Sequence, residues 1–213
     1  MKHVKGKITK DTKLLGRKEK VLDHIDGNIL DIGCGEGELL IKATLLDHDI
    51  IGMDRDANEI RTAMETGKES DALIRIVQGD ADNIPFEEES FDTIVMGEVI
   101  EHLSNLLETV KNVLKHLKPG GKLIITTPSG FAHMDNDHKN FFFKKKNFEL
   151  MNKHWVFNLL PAIWLNMHGI IIIEEFLEFL GYEYDLDEIE YGDSKHPSLD
   201  LFIVIWKIER QVK

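Results

Sequence analysis

The feature that most constrains the fold is residues 28–40, with the sequence NILDIGCGEGELL. A short apolar run reaches an acid, Asp31, and continues into a turn with glycine at every second position: Gly33, Gly35 and Gly37. Apolar residues then recur with the spacing of a helix. The segment therefore predicts a buried strand, a tight turn and a helix start, because glycines in such a turn let the backbone approach a ligand closely.

Three further apolar runs repeat the strand pattern, at residues 49–54, 74–78 and 91–96, and residues 117–128 are interpreted as a helix end, a turn and a fifth strand. Helical patterns separate successive runs, as expected for parallel βαβ units in a doubly wound α/β sheet. Ligands of such sheets bind beyond the carboxyl ends of the strands. The residues predicted to lie along that rim are Asp31, Asp54, Asp80 and Gly97.

The chain of 213 residues is predicted to form a single domain with four regions. We expect a basic helical region at 1–27, a ligand-binding core at 28–128, a substrate-side loop and helical insertion at 129–180, and closing strands at 181–213. The sheet should have seven strands with helices on both faces, and its last strand should lie antiparallel beside the fifth. The apolar insertion would cap a substrate pocket, extend the core or form a dimer face.

The ordered strand ends resemble the motifs of the class I S-adenosylmethionine-dependent methyltransferases, particularly the methyltransferase type 11 and ubiquinone-biosynthesis O-methyltransferase group. The resemblance covers about residues 28–128 and implies a Rossmann-like fold that binds S-adenosylmethionine. It assigns the glycine turn to the methionyl side, the second strand end to the ribose hydroxyls, the third to the adenine and the fourth to the amino-acid end. The implied cofactor-binding residues are Asp31, Gly33, Cys34, Gly35, Gly37, Asp54, Arg55, Asp80, Ala81 and Gly97.

A second constellation, GEVIEHL at residues 97–103, follows the fourth strand. On a helix, Glu98, Glu101 and His102 would share one face at the acceptor side of the rim. His102 would then act as a general base oriented by a glutamate, or the group would bind a divalent metal, or it would only cap the helix. We favour the base or orienting role, with no metal, and His138 as a further substrate-side residue.

The interpretation of these residues as a metal site is suggested by a resemblance to another group of enzymes. The string Glu98-x-x-Glu101-His102, with a later Asp137-His138, is similar to the small-RNA 3′-terminal 2′-O-methyltransferases, which use such residues with a metal; His133 is another candidate ligand. The same Glu-His pair also resembles the ubiquinone-biosynthesis-type enzymes. An RNA 3′ end therefore stays open as an alternative acceptor.

Charge and composition limit the kinds of molecule that the protein is expected to bind. The net charge is −12, and because residues 1–20 carry eight basic and two acidic side chains, the remainder carries about −18. Because this negative charge repels polyanions, long nucleic acids are disfavoured as substrates. The lone cysteine, Cys34, excludes an intramolecular disulfide and is expected to be a small turn residue rather than a nucleophile. We expect a cytoplasmic location without a membrane span, and a homodimer stays open.

The sequence thus predicts an enzyme that moves a methyl group from S-adenosylmethionine to an oxygen or nitrogen of a small or medium-sized acceptor. The alternatives are a metal-dependent RNA 3′-terminal 2′-O-methyltransferase and a non-catalytic protein that binds the cofactor. The apolar insertion favours a small-molecule acceptor, since ligand pockets are lined mostly by apolar groups.

Overall fold

A computed structural model describes residues 12–129, 137–144, 169–193 and 196–207. Its main feature is a seven-stranded sheet, whose strands are β1 Asn28–Ile32, β2 Asp49–Asp54, β3 Ile76–Gln78, β4 Phe91–Gly97, β5 Leu117–Pro128, β8 Glu183–Asp193 and β9 His196–Trp206. Their spatial order is β3-β2-β1-β4-β5-β9-β8. The helices are α1 Thr12–Leu22, α2 Glu38–Leu45, α3 Ala57–Glu69, α4 Leu106–Lys115 and α5 Ile173–Leu180.

The parallel centre of the sheet sets the position of the rim. β1 pairs with β2 and with β4, so that Asp31 lies opposite Gly52 on one side and Val95 on the other. These strands are almost continuously buried, as expected for parallel strands covered on both faces. The ends of β1, β2, β3 and β4 consequently meet at one edge, as the sequence predicts.

Two apolar clusters cover opposite faces of the sheet, in agreement with the predicted doubly wound arrangement. One contains Val21 of α1 and Leu40 of α2. The other contains Val110 of α4 and Leu177 of α5. Full burial of such a side chain stabilises the fold by about 1.5–3 kcal/mol, so both layers hold the rim in place.

The closing strands agree with the sequence prediction. β9 lies antiparallel to β5, with Ile124 opposite Val204, and β8 lies antiparallel to β9. Residues 201–205 of β9 are buried, because this strand is rich in β-branched and aromatic residues and lies inside the sheet.

The region after β5 differs from the expected loop and helices. A second, two-stranded parallel sheet forms from β6 Asn140–Phe143 and β7 Gly169–Ile172. Its triple phenylalanine and its isoleucine run are strand-forming sequences, and Phe142 is fully buried. The predicted helix is present at α5, whereas residues 145–168 of the predicted insertion, together with His133, lie outside the described residues.

Within the four described ranges, no helix combines the length and apolar character needed to cross a membrane.

Candidate functional site

Backbone hydrogen bonds hold the glycine turn after β1 against β2. The backbone N–H groups of Gly33 and Cys34 both donate to the carbonyl of Met53, at 2.7 and 3.2 Å. Gly33 has φ +70°, and a Cβ built on it would lie 2.5 Å from Cγ2 of Val99. A side chain at this position would collide with the loop after β4, so only glycine lets the two rim segments approach so closely.

Cys34 lies in the turn as a packing residue. Its sulfur faces the backbone of Gly52, where a Cβ would lie 2.9 Å from Sγ. Burial, together with the nearby charges of Asp31 and Asp54, raises the pKa of the Cys34 thiol. The thiol is therefore held neutral, which agrees with the sequence expectation that Cys34 is not a nucleophile.

Asp54, at the end of β2, is held in one orientation by the backbone. Its Oδ2 accepts the N–H of Gly35 and its Oδ1 accepts the N–H of Asp56, each at 2.9 Å. A carboxylate has acceptor capacity for about four hydrogen bonds. Two donors fix the group and leave capacity for hydroxyl donors from a ligand.

Asp31 is a buried acid, only 4% exposed. Desolvation raises its pKa to about 7, against the opposing charge of Lys18 and with a further increase from the charge of Asp54. Among the residues that the structure describes, none donates a hydrogen bond to its carboxylate. A cationic ligand would supply the missing partner.

Asp80 and Ala81 form a turn after β3. Asp80 Oδ1 accepts the N–H of Asp82 at 2.9 Å, and the Asp80 carbonyl accepts the N–H of Asn83 at the same distance. Asn112 of α4 holds the turn by donating from Nδ2 to the carbonyl of Ala81, at 3.1 Å. The sequence did not indicate Asn112, because its contact is made across the fold.

One cleft of about 650 Å³, open solvent included, joins these strand ends. The predicted residues that line it are Gly33, Asp54, Arg55, Asp80, Ala81, Glu98 and His102. Residues that the sequence analysis did not single out also line it: Ile32, Gly79, Val99 and Leu103. The other predicted site residues are outside its lining: Asp31, Cys34, Gly35, Gly37, Gly97, Glu101 and His138.

The expectation that Glu98, Glu101 and His102 share a helix face is wrong. Glu98 has a left-handed backbone with φ 57°, and only a single 3-10 turn, Ile100–His102, follows it. Its N–H donates to the carbonyl of Thr126 at 2.9 Å. Its carboxylate is turned toward α1, where Oε2 pairs with the Arg17 guanidinium at 2.5 Å. Left-handed backbone at a non-glycine residue is strained and is often found at functional sites.

The Arg17–Glu98 pair is expected to stabilise this strained loop. The Arg17 side chain is 12% exposed and that of Glu98 34%, so replacing one partner leaves a partly buried charge. We expect Arg17→Met to lower the unfolding free energy by about 1–3 kcal/mol. Denaturant unfolding of Arg17→Met, Glu98→Gln and the double variant measures it. Strictly additive effects would show that the two side chains do not interact.

Glu101, His102 and His138 come together at the end of the cleft. Glu101 is 2% exposed, and its Oε2 accepts a hydrogen bond from Thr127 Oγ1 at 3.1 Å. Burial is the main cause that holds the pKa of Glu101 above its usual range, and the charge of Glu98 adds to it, whereas hydrogen bonds from the backbone and from Thr127 act in the opposite direction. The rings of His102 and His138 meet edge to face with centroids 4.8 Å apart. The structure thus brings three of the four predicted acceptor-side residues together, whereas the Glu98 carboxylate, which lines the same cleft, pairs with Arg17.

Comparison with known proteins identifies the group to which this arrangement belongs. A family model described as a methyltransferase domain matches residues 30–125. The ubiquinone biosynthesis O-methyltransferase of Rickettsia akari is 30% identical over 114 residues, covering 51% of this chain and 45% of that protein. The corresponding protein of Chelativorans sp. is 32% identical over 113 residues, with 53% and 45% covered. The chain thus matches about half the length of these curated relatives.

Solved structures agree on the fold. A SAM-dependent methyltransferase from Methanosarcina mazei has a TM-score of 0.65 at 18% identity, covering 89% of this chain and 97% of that one. Residues 30–125 form a methyltransferase domain similar to those of the class I S-adenosylmethionine-dependent methyltransferases. The cofactor implied for this domain is S-adenosylmethionine. The same fold also occurs in the [4+2]-cyclase SpnF, with a TM-score of 0.63 at 15% identity over 91% and 81% of the two chains. Fold alone therefore does not define the reaction.

Proposed function

We propose that this methyltransferase transfers a methyl group from S-adenosylmethionine to an oxygen or nitrogen of a small or medium-sized acceptor. The observation that carries the proposal is that Asp54 and Asp80, at the ends of β2 and β3, line the same cleft as His102. Donor and acceptor groups bound in one cleft would be close enough to react without diffusion between sites.

The residues present fit the cofactor. Asp31 is a buried carboxylate without a described hydrogen-bond donor, and it would bind the ammonium group of the methionyl portion. Asp54, oriented by two backbone N–H groups, would bind the ribose hydroxyls. Asp80 and Ala81 would bind the adenine, with Arg55 beside them. The backbone at four glycines would leave room for the rest of the cofactor: Gly33, Gly35, Gly37 and Gly97. Cys34 would pack inside the turn as a small residue.

When bound, S-adenosylmethionine supplies a methyl group already activated by its sulfonium, so the protein must mainly orient the acceptor and exclude water. Val99 and Leu103 give the cleft an apolar wall beside His102. His102 would bind the acceptor's O–H or N–H group and hold or remove its proton. His138 packs against His102 and would keep the ring oriented.

Similarity to O-methyltransferases over the matched region supports oxygen as the acceptor atom. An RNA 3′ end is the second candidate, supported by the grouping of Glu101, His102 and His138. The net charge of −12 disfavours a polyanion. A binding protein without activity is disfavoured because Asp31 and Asp54 are both present at their strand ends.

A transfer assay with methyl-labelled S-adenosylmethionine tests the proposal. The acceptors should include phenols, catechols, amines and a short RNA with a free 3′ end. We expect label transfer to one small-molecule class by the wild-type chain, and transfer at least tenfold slower in Asp54→Ala. Glu108→Gln, on the exposed side of α4, is the control and should match the wild type. Transfer to RNA alone, or no transfer by a chain that binds the cofactor, would contradict the proposal.

A further inference from the structure

We propose that Asn140, the first residue of β6, is a positioning residue for His102, and that Nε2 is the His102 atom that takes the acceptor's proton. The inference deepens the proposed function and rests on it for the acceptor, but the orientation of the His102 ring can be measured without donor or acceptor. The sequence does not indicate Asn140, because its side chain bonds to residues 37 and 40 positions earlier in the chain.

The side chain of Asn140 bonds to both ends of the turn that carries His102. Its Nδ2 group donates to the carbonyl of Ile100 at 3.1 Å and to the carbonyl of Leu103 at 2.7 Å. An amide nitrogen carries two hydrogens, so each carbonyl can receive its own hydrogen bond. Within the turn, the N–H of Leu103 reaches the Ile100 carbonyl only at 3.4 Å. The Asn140 amide therefore contributes much of what fixes the turn relative to β6.

The residue before Asn140 bonds to the same turn. The N–H of Lys139 donates to the carbonyl of Glu101 at 2.7 Å, and its Nζ donates to Oγ of Ser104 at 2.7 Å. Residues 139 and 140 thus hold the turn on both sides of His102. The Lys139–Ser104 bond is exposed, whereas the two bonds from Asn140 are partly buried. Because water competes less for a buried hydrogen bond, the Asn140 bonds should hold the turn more strongly.

The same segment determines which nitrogen of the His102 ring carries the hydrogen. Nδ1 of His102 lies 3.3 Å from the backbone carbonyl of Asp137. A carbonyl oxygen only accepts, so this contact places the hydrogen on Nδ1 and, in the neutral ring, leaves the lone pair on Nε2. His138 packs edge to face with the ring, with centroids 4.8 Å apart. His102 lines the cleft, so Nε2 is the nitrogen available to an acceptor.

This tautomer is the one that a general base requires. The proton of the acceptor's O–H or N–H group would pass to the lone pair of Nε2, while Nδ1 keeps its own hydrogen. The Asp137 carbonyl would stabilise the positive charge on the ring until Nε2 releases the proton to solvent. Asn140 takes no part in the transfer and acts only through the position of the turn. A displacement of His102 by about 1 Å would lower the rate by up to about 100-fold.

Nuclear magnetic resonance of the cofactor-free chain, with its histidines labelled with nitrogen-15, tests the ring directly. The shifts of the two ring nitrogens report which one carries the hydrogen, and a His102→Gln variant identifies the His102 signals. At pH 8 we expect His102 of the wild type to be predominantly the Nδ1–H tautomer. Both Asn140→Ala and Asn140→Asp should lose this predominance. Asn140→Asp is decisive because it keeps the shape of the side chain but has no hydrogen to donate when ionised.

Asn58→Asp is the matched control. Asn58 lies exposed on α3, where its Oδ1 accepts a hydrogen bond from Arg61 at 3.1 Å. The same change of amide to carboxylate at this position should leave the His102 tautomer as in the wild type. Circular dichroism reports whether each variant is folded.

Kinetics and binding separate the positioning of His102 from cofactor binding. With an acceptor found by the transfer assay, kcat should fall about 10–100-fold in both Asn140 variants, while their affinity for S-adenosylmethionine stays that of the wild type. A wild-type His102 with its hydrogen on Nε2 would overturn the inference, as would a folded Asn140→Asp variant that keeps the wild-type tautomer and kcat. A chain that binds the cofactor but transfers to no acceptor would instead contradict the proposed function, with the ring measurement still deciding this inference.

Discussion

Asp31→Asn is expected to abolish cofactor binding and, at the same time, to make the free protein more stable. The carboxyl pKa rises from 3.8 to about 7 on folding, chiefly through desolvation. A charged Asp31 therefore costs the folded state roughly 4 kcal/mol above pH 7. The neutral amide avoids most of this cost but cannot pair with an ammonium group.

The sign of the pH dependence follows from the raised pKa. Because the folded protein binds this proton more tightly than the unfolded chain, Asp31 lowers stability progressively as the pH rises from about 4 to about 7. Affinity for a cationic ligand changes in the opposite direction and increases through pH 7, where the carboxyl ionises.

Thermal unfolding and calorimetry at pH 6 and pH 8 measure both effects. We expect Asp31→Asn to raise the melting temperature of the free protein at pH 8 by several degrees, with binding lost at both values of pH. Lys18→Met is the matched control: it removes the charge that lowers the pKa of Asp31 and should weaken binding only in part. An unstabilised Asp31→Asn variant that binds the cofactor normally would contradict this account of Asp31.

Gly33→Ala is the second change with a large expected effect. The new Cβ would lie 2.5 Å from Cγ2 of Val99, and φ at this position is +70°. The backbone conformation alone costs about 1–2 kcal/mol, and the overlap must displace Val99 into the cleft. We expect a total loss of about 3 kcal/mol or more in unfolding free energy, together with weakened cofactor binding.

Gly181→Ala separates the two causes. Gly181 has nearly the same φ, +72°, but nothing lies within 4 Å of its Cβ position. The Gly181→Ala variant should therefore lose only the unfolding free energy that the left-handed backbone costs, and it should retain its affinity for the cofactor. Gly33→Ala combined with Val99→Ala should recover part of the lost stability, because the colliding methyl group is removed. Equal losses in Gly33→Ala and Gly181→Ala, measured by denaturant unfolding, would show that the Val99 contact is unimportant.

The sheet and the position of the rim could be predicted from the sequence because each parallel strand is a short apolar run ending near an acid or glycine. That local pattern fixes which strand ends meet, and Asp54 and Asp80 lie in the cleft as expected. Helix boundaries are less exact: within the basic N-terminal region the sequence predicts a helix at residues 14–25, whereas α1 spans Thr12–Leu22.

The loop after β4 could not be predicted from helical spacing. Glu98 takes a left-handed backbone and pairs with Arg17, a residue of the N-terminal helix that sequence reasoning did not select. The pairing depends on how α1 packs, which no local pattern encodes. Similarly, the phenylalanines of β6 were open to a helical interpretation, because short apolar runs do not distinguish strand from helix.

Calorimetric titration of the purified chain with S-adenosylmethionine and with its demethylated product tests the central claim most directly. The account predicts one site with a dissociation constant in the micromolar range, about −8 kcal/mol, binding more tightly at pH 8 than at pH 6 and absent in Asp31→Asn. No heat and no thermal shift with either compound, in a chain shown to be folded, would contradict it.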